Sequence, residues 1–239
     1  MGSAAGTAQR ALEASFLGRV PYAEAVALQE RRRQAVISGA GREALLLLEH
    51  PHVFTIGRNA SAADVTANPA WLAEHGVEVA ETSRGGQVTY HGPGQLIGYP
   101  IVNLDPDRRD IRRYVHDLQQ VLIATLADFG VEAEARREQP AIGIWVGRRK
   151  IASLGVHIRR WVTMHGFALN VTTDLGFFSG IVPCGLQQVE MASIASVTGE
   201  SPTLPAVAEV AAQHFATTFE RDLVAQEEGT SRPWPVASS

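Results

Sequence analysis

Cys184 is the only cysteine among the 239 residues, and it stands in the run Ser179-Gly180-Ile181-Val182-Pro183-Cys184-Gly185-Leu186. A lone thiol has no disulfide partner within the chain and cannot build a cysteine cage for a metal. An isolated cysteine taken by itself is more often a small buried apolar group than a nucleophile. Its neighbours argue otherwise, because proline fixes φ and glycine permits a sharp or left-handed backbone. A bend of this kind presents its side chain to a reactant instead of burying it in a strand or helix.

The second chemical block is Arg84-Gly85-Gly86-Gln87-Val88-Thr89-Tyr90-His91-Gly92-Pro93-Gly94-Gln95, with four glycines and a proline in twelve residues. Glycines let backbone amides approach a ligand with no side chain between them. The spacing is neither that of a Walker phosphate loop nor that of a dinucleotide fingerprint. A plain hairpin needs far fewer special residues, so Arg84, Gln87, Thr89, Tyr90 and His91 are read as a binding wall. His91 and His165, as lone histidines, are more commonly structural than catalytic. His50 and His52 flank Pro51 but have no third ligand at metal spacing, and no metal site is predicted.

The elements that must carry these residues alternate between helix and strand. Proline at its start and Gly39 at its end delimit a helix over Pro21–Ser38, with Val26, Ala27, Leu28, Ala35 and Val36 as its apolar residues. The run Leu45-Leu46-Leu47-Leu48 within Glu43–Glu49 predicts a strand buried on both faces. Further strands are predicted at 53–57, 77–82, 96–104, 142–146, 150–158 and 164–171, and residues 84–95 are predicted to form a loop. Residues 110–129 predict the longest amphipathic helix, with Ile111, Val115, Leu118, Leu122 and Leu126 on one stripe. A last helix is predicted over 204–223.

Composition bounds the rest. A 239-residue chain that is 45% hydrophobic supports one α/β domain, placed at 12–224 between a disordered N-terminus at 1–11 and a flexible tail at 225–239. A net charge of −4 argues against a general nucleic-acid binder. Local basic clusters such as Arg148-Arg149-Lys150 and Arg159-Arg160 read as solvated faces. Neither a leader-like N-terminus nor a membrane-length apolar run is present, and the expected location is the cytoplasm, with no membrane partner.

Taken together, five blocks resemble the lipoyl(octanoyl) transferases: residues 84–100, Lys150-Ile151-Ala152-Ser153-Leu154-Gly155, His165-Gly166-Phe167-Ala168-Leu169-Asn170, Pro183-Cys184-Gly185, and Leu48–Arg58. The resemblance runs in order from about Leu17 to Ile194. It implies an α/β (α+β) fold of the biotin/lipoyl protein ligase type, a large mixed sheet with a smaller sheet and flanking helices. It also implies transfer of an octanoyl group from acyl carrier protein to a lysine of a lipoyl domain. The expected acceptors are the lipoyl domains of 2-oxoacid dehydrogenase complexes and the glycine cleavage H protein, with no cofactor beyond the carrier's phosphopantetheine. By this resemblance Cys184 is the acyl-thioester nucleophile and Lys150 the lysine that activates it. Charge pattern alone reads Lys150 as one more surface cation, and the resemblance reverses that. Arg84, Gly85, Gly86, Gln87, Val88, Thr89, Tyr90, His91, Ser153, Leu154, Gly155, Gly166, Phe167 and Ala168 match the substrate-binding segments, and His165 shapes the site.

Phe167, Leu169 and Val88 are expected to line the acyl slot. Backbone amides near Ser153-Leu154-Gly155 or Cys184 are expected to face the oxyanion. Two alternatives share parts of the pattern. An ATP-dependent lipoate or biotin ligase has the same fold but needs no cysteine nucleophile, and an inactive acyl-carrier-binding protein has no use for Cys184 with Lys150.

Overall fold

The computed structural model describes residues 10–138, 141–182 and 189–224. Cys184 and its neighbours 183–188 lie outside the described residues, as do residues 1–9 and the tail at 225–239. In chain order the strands are β1 (Arg10–Arg19), β2 (Glu43–Glu49), β3 (Val53–Ile56), β4 (Glu78–Glu81), β5 (Val88–His91), β6 (Gln95–Ile101), β7 (Glu134–Arg136), β8 (Gly143–Val146), β9 (Arg149–Arg159), β10 (Val162–Asn170) and β11 (Arg221–Val224). The helices are α1 (Tyr22–Ser38), α2 (Pro69–Glu74), α3 (Ile111–Asp128), α4 (Ile194–Thr198) and α5 (Leu204–Phe219). Eight strands form a large sheet in the order β11-β1-β2-β6-β10-β9-β8-β7, and three form a small one, β4-β3-β5. Both are mixed: β1 runs parallel to β2 and β11, β3 parallel to β4, and the other pairs are antiparallel. This is the large mixed sheet with a smaller sheet and flanking helices that the resemblance implies.

The leucine run sits at the centre because β2 is covered twice. Leu45 and Leu47 pack with α3 and α5 residues such as Leu122 and Phe215, while Leu46 and Leu48 pack with Ile97 and Ile101 beneath α1. Alternation of side chains across a strand makes a continuous apolar run the signature of this position. None of the described helices is long and apolar enough to cross a membrane.

Several sequence expectations need correction. Residues 10–19, partly assigned to the disordered N-terminus and otherwise left without an element, form β1, where Arg10 pairs with Glu43. Helix α1 buries Tyr22, Ala25, Gln29 and Arg33, whereas Ala27 is exposed. The buried polar stripe has partners on the large sheet: Gln29 Oε1 accepts from the His165 amide at 2.8 Å and Arg33 Nη1 lies 3.2 Å from His157 Nδ1. Ile111 is 49% exposed, because it stands at the first turn of α3 beyond the sheet's cover. The 84–95 loop contains strand β5, paired with β3 from Val88 to His91. The last helix stops at Phe219, where Glu220 takes a left-handed φ of 53°, and the chain turns into β11.

Gly98 shows how tightly β6 and β10 are fitted. It pairs with Phe167, and a Cβ there would stand 2.1 Å from the Phe167 ring. Gly98→Ala is expected to destabilise the protein by about 1–3 kcal/mol through overpacking, read as a lower urea midpoint with unchanged slope.

Candidate active site

The two sheets meet along a cavity of about 200 Å³. The small sheet contributes the 84–87 turn and β5, and the large sheet contributes β6, β9 and β10. Docking depends on bare backbone. Gly155 pairs with Gly166 across β9 and β10; a Cβ on Gly155 would lie 3.0 Å from Arg84 Cδ, and one on Gly166 would lie 2.3 Å from the Gly98 carbonyl oxygen. With no side chains there, the Gly85 amide donates to the Val156 carbonyl at 3.1 Å. Arg84, buried behind this turn, donates through Nη2 to the Thr55 carbonyl at 2.7 Å and to Thr55 Oγ1 at 2.8 Å. Its guanidinium therefore ties the turn to β3.

Arg84, Gly85, Gly86, Gln87, Val88, Thr89 and His91 line the cavity together with Lys150, Ser153, Leu154, Gly155, His165, Gly166, Phe167 and Ala168. Tyr90 does not. Alternation along β5 turns it into the core of the small sheet, where its hydroxyl meets His52 Nδ1 at 2.8 Å and its ring stacks on Phe177. Leu169 is fully buried in the main core instead of lining a slot, since it faces the helices α3 and α5. Tyr22, Tyr99, Val115, Ile142 and Val156 also line the cavity, and the sequence pattern did not single them out. Tyr99 had the clearest available signal, as a polar-tipped residue among the apolar residues that follow Gln95 in β6.

Lys150 is a surface cation by charge pattern but only 2% exposed in the fold. Its stem crosses Gly143, where a Cβ would be 2.5 Å from Lys150 Cε, and its ammonium lies 5.9 Å from the Trp145 ring centroid. Residues 190–192 run alongside: the Lys150 amide donates to the Glu190 carbonyl and the Ala192 amide donates to the Lys150 carbonyl, both at 2.8 Å. Upstream, the Val182 amide donates to Asp64, and Thr66 and Ala67 donate to the Gly180 carbonyl. The chain is thus anchored on both sides of the 183–188 segment, on the small sheet's connecting turn and on β9.

Three histidines beside the cavity are held neutral. Burial, with the positive charge of Arg84 second, pushes His165 down to about 3, and burial brings His50 down to about 4. His91 is pushed well below its ordinary value by burial first, then by His50 and Arg84. His50 Nδ1 stands 2.7 Å from the Val20 carbonyl and therefore carries the proton, so Nε2 accepts from the Tyr99 hydroxyl at 2.8 Å. His165 adopts a left-handed φ of 59° inside β10, a conformation that costs about 1–3 kcal/mol for a residue other than glycine. The Gln29 contact to its amide holds it there.

Comparison with known proteins places this geometry. The family model of the lipoyl protein ligase A/B catalytic domain matches residues 21–216. An octanoyltransferase of Solibacter usitatus is 48% identical over 208 residues, covering 87% of this chain and 93% of that protein. An octanoyltransferase of Syntrophotalea carbinolica is 45% identical over 209 residues, covering 87% and 95%. The structure of a bi-partite lipoate protein ligase from Thermoplasma acidophilum, described with its E2 lipoyl domain, matches with a TM-score of 0.68 at 18% identity, over 91% of this chain and 88% of that one. At that identity the likeness is one of fold.

The buried histidines make the fold acid-sensitive. Above pH 6.5 they are neutral in both folded and unfolded chains and contribute no pH dependence. As pH falls below that value the unfolded chain takes up protons that His50, His91 and His165 refuse in the fold, so stability falls towards pH 4. The expected loss between pH 7 and pH 5 is about 2 kcal/mol per histidine, measured by urea unfolding. His50→Gln should shrink the difference between the two pH values by one such share.

Proposed function

The chain belongs to the lipoyl protein ligase A/B catalytic family as an acyltransferase of its octanoyltransferase branch, and on that premise we propose that it carries octanoyl groups from acyl carrier protein to lipoyl-domain lysines through a thioester on Cys184. The observation that carries the finer reading is Lys150: a buried ammonium lining the cavity, its backbone bracketed by residues 190–192, which begin six residues after Cys184.

A free thiol ionises near pH 8.5, so only a few per cent is thiolate at neutral pH. An ammonium held beside it favours the charged form. In the first half-reaction the Cys184 thiolate attacks the carbonyl carbon of the donor thioester. The tetrahedral oxyanion collapses, the bond from carbonyl carbon to donor sulfur breaks, and the departing pantetheine thiolate takes a proton from Lys150. In the second, the acceptor lysine gives one proton to the now neutral Lys150 and becomes a nucleophilic amine. It attacks octanoyl-Cys184, the carbon–sulfur bond breaks, and the proton lost on forming the amide leaves with the cysteine sulfur and passes to solvent.

Val88, Leu154, Phe167 and Ala168 offer the acyl chain an apolar wall. The acyl group arrives already activated, so no cofactor is required beyond the donor's own arm. The acceptors in this reading are lipoyl domains of 2-oxoacid dehydrogenases and the glycine cleavage H protein, and the setting is the cytoplasm.

Incubation with octanoyl-carrier protein without ATP is expected to add one octanoyl group to the protein, mapped by peptide mass to Cys184. Cys184→Ser should load far more slowly, because an alkoxide is much harder to form than a thiolate. Loading that depends on ATP, or an acyl group on another residue, would overturn the reading. Lys150→Met should raise the pH midpoint of iodoacetamide alkylation and slow both loading and single-turnover transfer by about tenfold or more. An unchanged profile with normal transfer would remove Lys150 from the mechanism.

A further inference from the structure

Behind the cavity runs a chain of buried side chains that the two-step transfer does not use. Asn170, at the end of β10 and 1% exposed, donates from Nδ2 to the Ala192 carbonyl at 2.9 Å. Its Oδ1 accepts from Gln95 Nε2 at 2.8 Å, and the same Nε2 donates to the Tyr90 carbonyl at 3.2 Å. Gln95 Oε1 then faces His91 Nδ1 at 2.7 Å. The direction of every bond is forced. The carbonyls of Ala192 and Tyr90 can only accept, so each amide must turn its nitrogen to them. That leaves Gln95 an oxygen for His91, and the imidazole must carry its proton on Nδ1. Its Nε2 is then a bare acceptor, with no partner among the described residues, on a side chain that lines the cavity.

The other end of the chain reaches Lys150. Ala192, whose carbonyl Asn170 holds, donates its own amide to the Lys150 carbonyl, and Glu190 accepts from the Lys150 amide. One set of hydrogen bonds therefore spans from a cavity-facing imidazole to the backbone that brackets the buried ammonium.

We propose that Gln95 and Asn170 are positioning residues for the acyl transfer: they hold His91 as the Nδ1–H tautomer with Nε2 offered to an N–H group of the substrate, and they clamp residues 190–192 against Lys150. The inference rests on the Cys184 and Lys150 reading above. Neither amide touches the reacting atoms; each acts through His91 and through the Lys150 backbone. A small displacement of such a support is enough to cost about 10- to 100-fold in turnover when reacting groups must meet in one geometry.

Two variants cut the chain at different points. Asn170→Asp keeps an acceptor for Gln95 but has no donor for the Ala192 carbonyl, and Gln95→Met removes both of that residue's polar atoms at similar volume. Each is expected to lower kcat with octanoyl-carrier protein by about tenfold or more while the donor KM changes less than about twofold. Each should also move the alkylation midpoint of the protein's single thiol upward, a shift that mere loss of stability would not produce. In the unmutated protein, nitrogen-15 shifts of His91 should show Nδ1 protonated and Nε2 bare from about pH 5 to 8, a measurement that needs no variant to fold. The opposite tautomer, or folded variants with wild-type kcat and alkylation profile, would overturn the relay while leaving the transferase reading intact. A wild-type protein that never loads octanoate on Cys184 would overturn both.

Discussion

The contact on which the site depends is backbone against backbone, where the 84–87 turn of the small sheet lies on the Gly155–Gly166 pair of the large one. A side chain at Gly155 would meet Arg84 and the Gly85 carbonyl and hold the two sheets apart, and one at Gly166 would meet the Gly98 carbonyl of the neighbouring strand β6. Because the glycines are bare, the turn reaches the sheet, Gly85 bonds to Val156, and Arg84 drives its guanidinium back to Thr55. The cavity is the space left between the two sheets. Its size, the burial of Arg84 and the proximity of Tyr22, Tyr99 and His165 all follow from that close approach.

Close approach also sets the electrostatics. His91 and His165 are buried close to the Arg84 charge, and burial and the guanidinium both disfavour a positive charge on either imidazole. The histidines consequently serve as fixed hydrogen-bond partners and not as carriers of charge. Lys150 approaches the same space from β9, with its stem laid over Gly143. The cavity thus combines neutral imidazoles with the Arg84 and Lys150 side chains.

The described residues on either side of the lone cysteine are bonded to different sheets. Residues 180–182 are bonded to the 64–67 turn, and residues 190–192 are bonded to β9 and to Asn170. Small sheet and large sheet therefore each hold one end of the intervening stretch. Whatever moves the sheets relative to one another must also move those ends, which links the cavity walls to the chain that carries Cys184.

Much of this was legible in the residues themselves. The leucine run marked the central strand because period-two alternation puts consecutive apolar residues on both faces, and Pro21 and Gly39 marked the limits of α1 because each restricts or frees φ in a way a helix end requires. The block at 84–95 announced a site through glycines that no ordinary turn needs, and the blocks at 150–155 and 165–170 did so only through their resemblance to the lipoyl(octanoyl) transferases. Local pattern did not disclose that Tyr90 faces the small sheet's core, that Leu169 packs away from the cavity, or that Gln29 and Arg33 are the buried face of α1. Each of those depends on which partner lies across the interface, and a helix with polar residues at the right spacing looks solvated until a strand supplies the matching donor and acceptor. The burial of Lys150 is the sharpest case. Its neighbours Arg148 and Arg149 give it the appearance of a surface charge, and only the parallel pairing with residues about forty positions later encloses it. Sequence determined which residues have chemistry to offer; contacts between residues distant in the chain decided which of them meet, because burial and charge are properties of assembled neighbours.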